Sequence, residues 1–78
     1  MKLSELLDNI TVQGMVYIVT FDDDAEIDLF ATEDFERDRH NIDEDVLDME
    51  IAYIYPCLNY IDGETPAIKI ELHPKEDP

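Results

Sequence analysis

The spacing of apolar positions changes several times along the chain, and each change marks an element. Leu3, Leu6, Leu7 and Ile10 recur at helical spacing, and Ser4 stands where it can cap a helix over Glu5 to Asn9 or Ile10. Glu5 and Asp8 fall near the N-terminal half of that helix, where its dipole favours anions. Gly14 interrupts the pattern. Met15 to Phe21 is apolar on both faces and rich in β-branched and aromatic residues, which predicts a central strand covered on both sides. Asp22-Asp23-Asp24 predicts a turn. Ala25 to Ala31 then alternates, with Ile27, Leu29 and Ala31 on one face and Glu26, Asp28 and Phe30 on the other. That is a half-buried strand, paired with the first as a hairpin.

Thr32 can cap a short helical turn over Glu33-Asp34-Phe35-Glu36, and Arg37 to Asn41 reads as a polar loop. Asp43 or a neighbour caps a second turn carrying Val46, Leu47 and Met49. Glu50 to Pro56 is a third strand, with Ile51, Tyr53 and Tyr55 sharing one face and Ala52 and Ile54 the other. Asp62-Gly63 marks a turn, and Ala67 to Leu72 is the fourth strand, with Ile68, Ile70 and Leu72 inward. The expected fold is one α+β domain over residues 1–78. It is a four-stranded antiparallel sheet of two hairpins, covered on one face by the N-terminal helix and the short middle helical segment. The tail, 73–78, is expected to fray.

Charge changes the picture most. Five Lys and Arg against 21 Asp and Glu leave a formal net charge of −16 in 78 residues. A nucleic-acid binder needs a cationic footprint, and an anionic membrane surface repels such a chain. No apolar run approaches a transmembrane span, and the acids near the N-terminus do not suit a signal peptide. The single Cys57 makes no internal disulfide, which fits a reducing, cytoplasmic setting. Two glycines leave no phosphate-cradling loop.

The acids fall in a turn (Asp22, Asp23, Asp24), along a strand face (Glu26, Asp28), through a connection (Glu33, Asp34, Glu36, Asp38) and around a second turn (Asp43, Glu44, Asp45, Asp48, Glu50). On a body about 25 Å across they must crowd, and crowded like charges oppose folding. A strongly basic partner turns that cost into attraction and faster association. Eight of them, Asp22, Asp23, Asp24, Glu26, Asp28, Glu33, Asp34 and Glu36, with Phe30 as an aromatic anchor, are therefore the candidate partner-binding set. The plainer reading is an acidic, soluble domain with Phe30 packed under the middle segment.

Asp22, Asp24, Glu26, Asp28 and Glu33 follow calcium-loop spacing, but Ile27 stands where such a loop needs glycine, so an EF-hand is rejected. His40 and His73 lie toward the same end of the expected sheet. With carboxylates such as Asp48 and Glu50 they are candidate Zn²⁺ ligands, though no metal-ligand spacing motif is present and two exposed histidines are the plainer account. Cys57 reads as a small buried hydrophobe, since neither histidine is placed to activate it. No nucleophile–base set is suggested, so the chain is not expected to be an enzyme.

The run from Leu3-Ser4-Glu5-Leu6-Leu7 to Gly14, the strand after it, and Leu47-Asp48-Met49-Glu50-Ile51-Ala52-Tyr53-Ile54-Tyr55-Pro56 together resemble small acidic proteins encoded by phages and prophages of gut-type Firmicutes. Some proteins of that kind are type II anti-CRISPR proteins, which bind Cas9 and often block the cationic channels that hold guide or target nucleic acid. The resemblance implies a stoichiometric Cas9 inhibitor in a bacterial host cell. The alternatives are a metal-stabilised phage accessory or regulatory domain whose charge serves solubility only, and a small metal-dependent hydrolase.

Overall fold

The computed structural model describes residues 1–74; the part of the expected frayed tail beyond Pro74 lies outside them. The elements are α1 (Leu3–Asn9), β1 (Val16–Asp22), β2 (Ala25–Thr32), α2 (Phe35–Asp38), a 3₁₀ turn (Arg39–Asn41), α3 (Glu44–Leu47), β3 (Ile51–Leu58) and β4 (Pro66–Leu72). Both expected hairpins form, β1 with β2 and β3 with β4, each antiparallel. The four strands lie in the order β2-β1-β4-β3, and the two hairpins join through a parallel pairing of Val16–Thr20 with Ile68–Leu72. The sheet is therefore mixed rather than antiparallel throughout. Alternation along a strand fixes which face a side chain takes, not the direction of its neighbour. Strand β1, apolar on both faces, suits the interior position that parallel pairing gives it.

One face is covered by the helical layer. Leu3 and Leu7 of α1, Phe35 of α2, Ile42, Val46 and Met49 pack on Val16, Ile18, Ile70 and Leu72 to form the main core. Each large side chain buried there contributes about 1.5–3 kcal/mol. Helix α1 starts earlier than its sequence suggests, because Glu5 Oε1 reaches back to accept the Lys2 backbone N–H at 3.0 Å. Ser4 thus lies inside the helix and does not cap it. Ile10 follows the helix and is 51% exposed, so it leaves the apolar face assigned to it. Ahead of α1, Lys2 bridges to Glu50, and Leu3 N–H donates to the Met49 carbonyl at 3.0 Å.

Two bulges redistribute the faces. Ile18 pairs with Phe30 but Val19 with Asp28, so Leu29 is the extra residue in β2. Phe30 thereby leaves the face of Glu26 and Asp28 and packs on the helical side, edge-on to Phe35 at 6.3 Å between ring centroids. In β3, Ile51 pairs with Leu72 and Tyr53 with Glu71, leaving Ala52 as the extra residue. Ile51 and Ile54 then share the helical side, while Tyr53, Tyr55 and Cys57 point to the other. Face assignments based on strict alternation are overturned at both places.

The second face carries Tyr17, Val19 and Ala67, with Met15, Phe21 and Cys57 against them. The β3–β4 connection folds back over part of it, stacking Tyr60 on Tyr17 at 4.0 Å. Asn59 anchors that connection, with its backbone N–H donated to the Thr65 carbonyl at 2.8 Å. By the antiparallel alternation this bond sets, the Pro56 nitrogen faces the free side of β3. A missing N–H there costs the sheet nothing and denies an incoming strand one hydrogen bond.

Candidate functional site

Strand β2 is an outer strand, and the turn and cap that flank it are as acidic as the strand itself. Asp22 ends β1. Asp23 and Asp24 form the two-residue turn with φ of 50° and 66°, a left-handed geometry in which Asn-Gly is the favoured pair. Glu26 and Asp28 project from β2 to the second face, opposite Phe21 and Val19. Glu33, Asp34 and Glu36 follow the strand, and Asp34 Oδ1 caps α2 by accepting the Arg37 N–H at 3.2 Å. Glu36 accepts from Gln13 Nε2 at 3.3 Å. All eight acids are exposed, and no Lys or Arg occurs from Asp22 to Glu36. The eight residues of β2 run roughly 26 Å, and the turn and cap lengthen the row to about 30 Å. That is about one carboxylate per 4 Å, close to the ~3.4 Å per charge along one nucleic-acid strand. Further acids lie on the helical layer and at the β3–β4 connection, so the charge extends beyond this edge.

Described cations are engaged within the fold. Lys2 pairs with Asp48 at 3.3 Å, Arg37 with its neighbour Asp38 at 3.0 Å, and Lys69 with Glu26 at 2.7 Å. Arg39 donates to the Leu7 carbonyl at 2.9 Å. Arg37, with a further hydrogen bond from Thr32, brings the Asp38 carboxyl down to about 2. Lys69 also lies over two rings, 4.8 Å from the Tyr60 centroid and 6.0 Å from that of Tyr55.

The remaining candidates fall elsewhere. Phe30 is half-buried against the core, so it is not an exposed anchor. Of the exposed rings Tyr53 is the most open, at 65% against 47% for Tyr60, and only the bulge at Ala52 puts it on the second face. His40 lies in the 3₁₀ turn, while His73 follows β4 and donates its backbone N–H to the Glu50 carbonyl at 2.8 Å. The Glu50 carboxylate is held by the Met1 amino group at 2.8 Å, which lowers its pKa, and Asp48 is held by Lys2. Among the described residues no three His, Cys, Asp or Glu side chains gather to hold a metal ion. Cys57 is half-buried opposite Ala67, as the hairpin register implies.

Comparison of the chain with protein-family models, with curated proteins and with solved structures gives no match. Among the described residues no helix is long and apolar enough to cross a membrane.

Proposed function

We propose that this protein binds, without catalysis, a strongly basic surface on a nucleic-acid-handling protein. In this reading the acidic β2 edge occupies a groove that otherwise takes a nucleic-acid strand. The observation that carries it is the set of eight carboxylates from Asp22 to Glu36 along an outer strand, clustered at its two ends with no Lys or Arg among them, at an average spacing near that of the charges on one nucleic-acid strand. The turn supports the same reading. Asp23 and Asp24 hold positive φ, where Asn and Gly fit better, so acidity is kept there at some expense of stability. Self-repulsion of this size destabilises a compact monomer, and a cationic partner offsets it on binding. The resemblance to small acidic phage proteins makes Cas9 the first partner to test, with nucleic-acid loading as the blocked step.

The test is association of the purified protein with Cas9 before and after guide RNA is loaded, over a salt series. Binding should be tighter to the unloaded protein and should weaken steeply with salt, because exposed charges are screened within ~8 Å at physiological ionic strength. The combined variant Asp22→Lys, Asp23→Lys, Asp24→Lys should lose affinity and keep the fold. Binding that ignores both salt and charge reversal would reject the electrostatic mechanism. Absence of binding at low salt would reject Cas9 as the partner.

A further inference from the structure

Resting on the reading of a basic partner, we infer that the second face of the sheet seats an arginine side chain of that partner, its guanidinium lying on the Tyr53 ring and paired with Glu71. Tyr53 and Glu71 are directly opposed on β3 and β4, so their Cβ atoms lie about 5 Å apart on one face. Tyr53 is 65% exposed. Glu71 sits on an interior strand between Val19 and Tyr53 and is half-buried. It accepts one hydrogen bond, from Tyr55 Oη at 3.4 Å, and forms no ion pair among the described residues.

The face already holds one cation in this way. Lys69, next to Glu71 on the same side of β4, has a carboxylate for its ammonium and two tyrosine rings beside it. Glu71 with Tyr53 repeats the pairing of carboxylate and ring, with no cation paired to it among the described residues. The row is continuous with the acidic edge, since register places Asp28, Val19, Glu71 and Tyr53 side by side across all four strands. A basic segment crossing the sheet from β2 to β3 would meet Asp28 first and Glu71 about 10 Å further on, two strand spacings away. Arginine suits the second position better than lysine. Its planar guanidinium stacks on a ring while offering paired N–H groups to a carboxylate, whereas an ammonium is a strongly hydrated point charge.

The experiment titrates the full chain with oligoarginine and oligolysine peptides of equal length at physiological ionic strength, reading affinity by calorimetry and Tyr53 by NMR. Oligoarginine should bind about fivefold more tightly than oligolysine and shift the Tyr53 ring signals. Tyr53→Ala and Glu71→Gln should each lower oligoarginine affinity to the oligolysine level, and Tyr53→Phe should retain the preference. Equal affinity for the two peptides, or a preference that survives Tyr53→Ala, overturns the inference. If the peptides bind equally and the triple Asp22, Asp23, Asp24 reversal abolishes that binding, this inference fails while the acidic-edge reading stands. If neither peptide binds, both fail.

Discussion

Lys69 on β4 reaches over β1 to place its ammonium 2.7 Å from the Glu26 carboxylate on β2, under the ring of Tyr60. This contact ties three strands and the β3–β4 connection together on the face the helices leave uncovered. Burial disfavours the ammonium, but hydrogen bonding to Glu26 and Tyr60 outweighs it, so the Lys69 pKa is raised. The side chain is 13% exposed, which keeps the pair from being screened like a surface ion pair. Lys69→Met should lower unfolding stability by about 1–2 kcal/mol in urea titration, and Glu26→Gln by less, since a neutral amide still accepts from the ammonium.

Acid should destabilise the fold in a defined window. Asp38 is brought down to about 2 by Arg37 and then Thr32. Glu50 is lowered by the Met1 amino group, and Asp62 by its hydrogen bonds from Thr65 and Glu64. Each carboxyl is more acidic folded than unfolded, so the unfolded chain binds more protons as pH falls. The stability they supply is complete above the ordinary carboxyl range and is lost from about pH 4 downward, toward about 2 for Asp38. Thermal unfolding followed from pH 5 to pH 2 should show this decline, and Asp38→Asn should flatten its lower part.

The β1–β2 turn sets stability against charge. Replacing Asp23-Asp24 by Asn-Gly should stabilise the domain by about 1 kcal/mol, because both positions have positive φ and two carboxylates leave a crowded turn. The same variant should bind the basic partner less tightly. Parallel measurement of chemical denaturation and affinity checks both directions, and a gain in the two together would contradict a binding role for the turn.

Phe35 is fully buried although α2 is only four residues long. So short a helix has little stability of its own, and its place depends on that ring, set edge-on to Phe30. Phe35→Ala should cost about 3–5 kcal/mol, enough to unfold much of so small a domain. Far-UV circular dichroism at room temperature would register the loss, and Phe35→Leu should retain the folded signal.

The four strands and the helical cover are legible in the sequence because apolar spacing reports burial directly. Val16 to Phe21, apolar on both faces, identifies an interior strand without reference to any neighbour. The parallel joint of β1 and β4 is not legible, since the same residues would pack equally well beside an antiparallel strand. Nor are the bulges at Leu29 and Ala52, which break no local propensity and yet move Phe30 inward and Tyr53 outward. The acidic row could be read residue by residue. Its gathering along one outer edge follows from strand order, which pattern alone does not specify. The contacts of Tyr60 with Tyr17 and of Lys69 with Glu26 carried no signal, because the partners are more than 40 residues apart.

The side-by-side arrangement of β1 and β4 also governs how the molecule comes into being. During synthesis the first hairpin emerges with its β4-facing side unpaired and only the Val16 and Ile18 part of the core's floor in place. Val16–Thr20 find their companions only once Ile68–Leu72 have left the ribosome. Native structure therefore waits on contacts between distant parts of the chain, which favours slow, all-or-none assembly. Until then the strongly anionic nascent chain repels its own copies, a protection against clumping that the finished protein inherits.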